Sequence, residues 1–310
     1  MSTLKEVLTI VLPIFGLIYI GYIFRRFKFC TDQWVHVLNQ FVYYVSLPAV
    51  ITASFWQINI RDPKILSIVA DNTIAVVIYA ILLFVIIDVF AFKRGALKAA
   101  AFMVGIVGNT VYIGFPLLGM AFAKEYLPYG IAAATVHLVL GLIFSIMAVE
   151  YWVIKSKRPL SYFQDFVKNP FFISLGLGIL LSYFNFSGSV AEVIRKPMTM
   201  LGSTASPLAL FALGGFLHGK FIKHHLNRSI ILTVVKIIVF PAFLWLVLWL
   251  IGCSPCFGAM SVIVASMPSA VTAFVIAEKY HLDHELVANT ILLSTAVSVV
   301  TISIFLALFI

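Results

Sequence analysis

Residues 108–126 read GNTVYIGFPLLGMAFAKEY. Asn109, Thr110, Gly114 and Pro116 interrupt a run otherwise suited to hydrocarbon. Proline removes a backbone donor and clashes with the preceding turn, so a helix must bend or stop here. It also suits the first turn of a helix that follows. At ~1.5 Å per residue, Lys98 to Asn109 covers roughly 16 Å and Pro116 to Lys124 roughly 12 Å. The break therefore falls near the middle of a hydrocarbon layer about 30 Å thick. Unwound backbone at that depth persists only where protein buries it or where it lines a cavity.

Composition fits a chain built around such a break. Of 310 residues, 62% are hydrophobic and 11% charged, with a mean hydropathy of +1.09. A soluble domain carries about a quarter charged residues. The apolar residues fall in blocks of the roughly 20 residues needed to cross a bilayer. The expectation is an all-α membrane protein with no sizeable soluble domain. The pI of about 9.5 is read as loop charge on one membrane face, so nucleic acid is not an expected partner. The opening LKEVLTIVLPIFGLIYIGYIFRRF is too long for a signal h-region and lacks a small-residue cleavage site, so it reads as a first span.

Ten transmembrane helices are expected, near 5–25, 34–58, 66–92, 99–123, 129–154, 170–186, 190–217, 229–251, 256–278 and 285–310. The loops after odd-numbered spans hold fourteen Lys and Arg and those on the other side hold six, with Lys236 inside span 8. The positive-inside rule then places both termini outside a cell membrane.

The order of spans suggests a repeat. Pro116 is followed by LLGMAFAKEY and Pro268 by SAVTAFVIAEKY. SLPAV around Pro48 in span 2 matches SPLAL around Pro207 in span 7. Two sets of five spans necessarily run in opposite orientations, which is the inverted-topology plan of secondary transporters. The expected division is 1–154 as the first repeat, 155–169 as a cytoplasmic linker and 170–310 as the second repeat. Half-helices starting near Pro116 and Pro268 would aim free N–H groups and positive dipole ends at the midplane. Such ends favour an anion. Asn109, Thr110, Gly114, Pro116, Pro268 and Ser269 are the candidate substrate contacts at the two breaks.

These residues also resemble a known family. GNTVYIGFPLLGMAF, together with MPSAVTAFVIAEKYHLDHELVANTILLSTAVSVVTI, is similar to the auxin efflux carrier family. That family includes the plant PIN auxin carriers and bacterial carriers for malate and malonate. FVYYVSLPAV, NPFFISLGLGILL and SPLALFALGGFL extend the likeness over nearly the whole chain. The resemblance implies two inverted five-helix repeats with helices 4 and 9 broken and crossing. It implies a scaffold of helices 1, 2, 6 and 7 and a transport part of helices 3–5 and 8–10. It further implies an elevator motion and a homodimer formed through the scaffold. The long hydrophilic loop of many plant members is absent.

Ionisable residues inside spans are costly and are functional candidates. Asp71 lies in span 3 and Lys236 in span 8, its partner in the repeat. They are expected to pair behind the crossing as a support site. The resemblance points the same way, although a lysine expected four residues after the acid is Ala75 here. His137, in span 5, lies roughly 12 Å deep and could donate to an anion, titrate near neutral pH or simply bond a neighbouring carbonyl. The resemblance sets it, and Thr52 in span 2, in positions that face substrate. Asp88 and Glu150 sit near cytoplasmic span ends and read as interfacial.

CSPC at 253–256 supplies two ligands where a structural metal needs four, so it reads as a local cross-link or two free thiols. HExxH, GxSxG, P-loop and complete dinucleotide patterns are all absent, so neither an enzyme nor a cofactor is expected. The resulting expectation is a secondary transporter of small organic anions, auxin-like monocarboxylates or malate/malonate-type dicarboxylates. A proton or sodium ion could couple, and membrane lipid surrounds it. The alternative is a sodium/proton exchanger, or a sodium-coupled bile-acid-type symporter, on the same broken-helix plan.

Overall fold

The computed structural model describes residues 2–91, 93–123, 125–154, 170–219 and 225–309. The expected linker 155–169 lies outside the described residues, as do Lys124, Lys220 and Lys223 of the charge count.

Twelve helical segments are present among the described residues. They are α1 (Ser2–Arg26), α2 (Asp32–Gln57), α3 (Pro63–Val89), α4 (Gly95–Ile106), α5 (Thr110–Ala121) and α6 (Leu127–Ile154). They continue with α7 (Pro170–Tyr183), α8 (Ser189–Leu217), α9 (Leu226–Leu250), α10 (Pro255–Ala265), α11 (Val271–Lys279) and α12 (His284–Phe309). Seven of these, α1, α2, α3, α6, α8, α9 and α12, are long and apolar enough to cross a membrane. The expected fourth and ninth spans are each divided, into α4 with α5 and α10 with α11. Each half is too short to cross a layer about 30 Å thick at ~1.5 Å per residue. The expected sixth span is the shorter apolar helix α7.

Three prolines inside helices share one accommodation. Pro48, Pro116 and Pro241 each follow a π turn, at Val42–Ser46, Thr110–Gly114 and Val235–Val239. In each case the residue before the proline donates its N–H five residues back, Leu47 to Val42, Phe115 to Thr110 and Phe240 to Val235. The widened turn gives room to the ring, which would otherwise clash with a carbonyl one turn earlier. Pro116 is therefore inside α5, and the helix resumes six residues earlier than expected, at Thr110.

The chain forms two compact units. One comprises Ile14–Ser67 and Lys157–His218. Within it, α1 and α8 approach so closely that a Cβ on Gly21 would strike the Phe211 carbonyl and one on Gly214 the Ile18 carbonyl. Ser46 and Thr204 share a hydroxyl hydrogen bond of 2.7 Å, and Trp56 Nε1 donates to the Phe186 carbonyl at 2.8 Å. The other unit comprises Met1–Pro13, Ile68–Ser156 and Gly219–Ile310. In it Leu118, Ala134, Met260 and Val264 form a buried cluster that packs α5 and α10 onto α6. Asp88 accepts from Lys98 Nζ at 2.6 Å and from Trp152 Nε1 at 2.9 Å, a polar tie at one end of the unit.

Candidate functional site

Both helix breaks lie in the second-described unit, and their backbones pair. Gly108 and Ser269 form an isolated antiparallel bridge. Asn109 N–H donates to the Pro268 carbonyl at 2.7 Å, and Ala270 N–H donates to the Val107 carbonyl at 3.0 Å. Two short extended stretches thus satisfy each other where neither helix can. This resolves the problem posed by polar backbone at that depth.

Four helix ends meet these breaks, and their polar groups are largely matched. The C-terminal carbonyls of α4 take side-chain donors: Ser269 Oγ donates to the Val104 carbonyl at 2.7 Å, and Tyr79 Oη to the Gly105 carbonyl at 3.2 Å. The last carbonyl of α10, that of Ala265, accepts from Lys236 Nζ at 2.8 Å. An ammonium at a helix C-terminus sits at the negative end of the helix dipole, a favourable location. Ser269 N–H donates to Ser294 Oγ of α12 at 3.1 Å.

The other two ends are the N-termini of α5 and α11. A helix start leaves its first N–H groups without intrahelical acceptors. Asn109 Nδ2 and Thr110 Oγ1, at the start of α5, are buried without a hydrogen-bond partner. So is Thr272 Oγ1, in the first turn of α11. Buried polar atoms are nearly always paired, so these orphans set both helix starts apart from the matched ends of α4 and α10. Gly114, also buried, lies in the π turn, where its N–H donates to the Asn109 carbonyl at 3.2 Å.

Lys236 is fully buried, and its ammonium lies 4.8 Å from the centre of the Phe240 ring. Among the described ion pairs none involves Lys236. The expected partner, Asp71, instead acts on the Cys253 thiol near the other end of α9. Helix rise explains the mismatch. Asp71 is eight residues from the start of α3, roughly 12 Å, whereas Lys236 is fourteen residues from the end of α9 on that side, roughly 21 Å. The two side chains therefore sit at different depths.

The residue of α3 that reaches this layer is Asn72, one position on. It is fully buried, and its amide nitrogen donates to the Ile68 carbonyl and to Ser261 Oγ, each at 2.9 Å. Its oxygen is then the acceptor for His137 Nε2 at 3.0 Å, so that nitrogen carries the proton. His137 is thus held by α3, and its ring lies 5.6 Å from Phe240, which also receives the Lys236 ammonium. Tyr79 stacks on the same Phe240 ring at 4.2 Å. Sequence reading missed Asn72, Tyr79, Ser261, Thr272 and Ser294. The only available signal was a polar residue within an apolar run, weak for a lone Ser or Thr.

Thr52, in the other unit, is 1% exposed, and its hydroxyl donates to the Ser174 carbonyl at 3.1 Å. Cys253 and Cys256 are free thiols.

Comparison with known proteins follows the same outline. The profile of a family described as "Membrane transport protein" matches residues 6–162 and 160–306. An "Uncharacterized transporter" of Methanocaldococcus jannaschii is 28% identical over 305 residues, covering 95% of this chain and 96% of that protein. A "Putative malonate transporter" of Rhizobium meliloti is 27% identical over 316 residues, covering 97% and 95%. An "Uncharacterized transporter" of Methanothermobacter thermautotrophicus is 25% identical over 306 residues, covering 94% and 95%.

Proposed function

Since the chain belongs to the membrane transport proteins of the auxin efflux carrier family, we propose that it is a secondary carrier of small organic anions, with the anion bound at the paired breaks. One observation carries the choice of an anion. A fully buried lysine, with no carboxylate among its described contacts, lies against the breaks at Gly108 and Ala265, next to polar side chains that are orphaned. A buried charge is costly unless it is paired. A carboxylate ligand would supply the missing counter-charge, and Asn109 Nδ2 and Thr110 Oγ1 the directional donors. The printed name of the Rhizobium meliloti relative makes a malonate-type dicarboxylate the first substrate to test.

The antiparallel pairing of residues 107–109 with 268–270 supports a plan of ten spans in two inverted repeats with crossing fourth and ninth helices. The division into two compact units supports an elevator reading. The unit holding the breaks would move, and the unit of Ile14–Ser67 and Lys157–His218 would stay fixed and form the homodimer.

The test is thermal stabilisation of the purified protein across malonate, malate and aromatic monocarboxylates, followed by uptake into proteoliposomes. A ligand of the folded state raises stability by mass action. An exchanger of sodium for protons would instead answer a pH jump without organic substrate, and would leave the carboxylate panel silent.

A further inference from the structure

A cavity of about 810 Å³ opens at one end of the unit that holds the breaks. Its lining includes Lys93, Arg94, His225, Arg228, His281 and Asp283. These come from the turn before α4, the start of α9 and the turn before α12. We propose that this cavity is a binding site for a phosphate group, carried by an anionic phospholipid headgroup or by free phosphate, and distinct from the substrate site.

The balance of lining charges favours an anion. Three permanent cations and two imidazoles face one lining carboxylate. That carboxylate is already engaged twice. Asp283 Oδ1 accepts from the Leu286 N–H at 2.8 Å, and its Oδ2 lies 3.4 Å from His225 Nε2. Asp88, the nearest acid along the chain to Lys93 and Arg94, is held by Lys98 and Trp152. Arg228 and His225 are oriented by their own contact, 3.2 Å between a guanidinium nitrogen and Nδ1. The arginine is the donor there, so Nδ1 accepts and Nε2 carries the proton toward Asp283.

Backbone geometry adds to the side chains. Arg94 and His225 occupy the cap positions of α4 and α9, and neither side chain caps the helix. Two helix starts of at least twelve residues each therefore present free N–H groups at a cavity rimmed with guanidinium groups. Arginine forks match phosphate oxygens in pairs, which a point charge cannot do. The positive-inside count assigns this end to the cytoplasmic leaflet, where anionic headgroups collect and basic pockets between helices hold them.

Native mass spectrometry of the purified protein titrated with phosphatidylglycerol, phosphatidylcholine or inorganic phosphate tests the site. Phosphatidylglycerol is expected to bind at least tenfold more tightly than phosphatidylcholine, and the Arg94→Ala/Arg228→Ala double variant to lose most of that preference. If inorganic phosphate binds and the lipid does not, the ligand is free phosphate and the site stands. Equal binding of the two lipids with no phosphate bound overturns it, as does full preference retained in the variant. Should the double variant fail to fold, the exposed Lys93→Gln change must still weaken binding two- to fivefold. Because none of the contacts described at the breaks involves Lys93, Arg94 or Arg228, malonate stabilisation measured in parallel reports the substrate site separately.

Discussion

Lys236 Nζ donates to the Ala265 carbonyl, 2.8 Å away, at the last turn of α10 before its break. The lysine thereby ties the π turn of α9 to the break without neutralising its own charge. Replacing it with methionine keeps the length and apolar stem but removes the charge. Swapping a buried ion for an apolar group of similar volume is often neutral or stabilising. The Ala265 carbonyl would lose its donor, a cost of about 1–3 kcal/mol. Lys236→Met is therefore expected to fold, with a melting temperature within a few degrees of the parent. Anion affinity should fall about 100-fold, equivalent to roughly 3 kcal/mol. Isothermal titration with the stabilising carboxylate, alongside a thermal melt, checks both halves.

Gly108 is constrained by the same ammonium. A Cβ built on it lies 3.2 Å from Lys236 Nζ and 3.4 Å from Cε, tighter than ordinary contact. The flexible end of the lysine can retreat by a few tenths of an ångström, so Gly108→Ala should be tolerated structurally. It would shift the charge relative to the breaks. The expected outcome is a KM for uptake raised about tenfold, or roughly 1.4 kcal/mol, with normal expression. Gly108→Val, with a branched side chain against Nζ and the Met267 carbonyl, should abolish uptake. Initial-rate uptake in proteoliposomes separates the two.

How far the sequence could be read depended on the kind of interaction. Prolines and polar residues within apolar runs located both breaks, because helix-breaking chemistry is local. The proline alone places the restart of α5 six residues late. A π turn absorbs Pro116, and only the backbone hydrogen-bond pattern reveals that. The candidates Asn109, Pro268 and Ser269 come together at one pair of short extended stretches, with Thr110 next in the chain, whereas Asp71 meets Cys253 rather than Lys236. Pairing across helices depends on depth and on rotation about each axis. One residue, Asp71 to Asn72, turns the side chain by about 100°. No spacing rule in a single chain fixes that angle.

Asn109 and Thr110 allow ligand binding to be separated from folding. Their orphaned atoms make no hydrogen bond, so removing them forfeits none. Deleting an unsatisfied buried polar group is expected to leave stability unchanged or to raise it by about 1 kcal/mol. Thr110→Val conserves volume and should behave in this way, with a melting temperature equal to or above the parent. Uptake of the anion should nonetheless fall at least tenfold. A drop in melting temperature with uptake intact would mean that the hydroxyl serves packing alone.

Asp71 and Cys253 give a prediction readable by pH. Burial, and then the Asp71 carboxylate beside it, push the Cys253 thiol up to about 11 from an ordinary 9.0. A raised value means less thiolate at any pH below it, and the thiolate is the reacting form. Near pH 8 the thiolate fraction should be about 100-fold below that of an ordinary cysteine. Maleimide labelling of Cys253, followed in a Cys30→Ser/Cys256→Ser background, should climb about tenfold per pH unit through pH 9 and beyond without levelling. Asp71→Asn removes the negative neighbour and lowers the thiol's value, so labelling at pH 8 should speed up. An unchanged rate in Asp71→Asn would mean that the carboxylate points elsewhere, and would reopen its pairing with Lys236. The charge exchange Asp71→Lys/Lys236→Asp supplies the complementary reading. With the two groups at different depths, it should fail to restore uptake lost in either single variant.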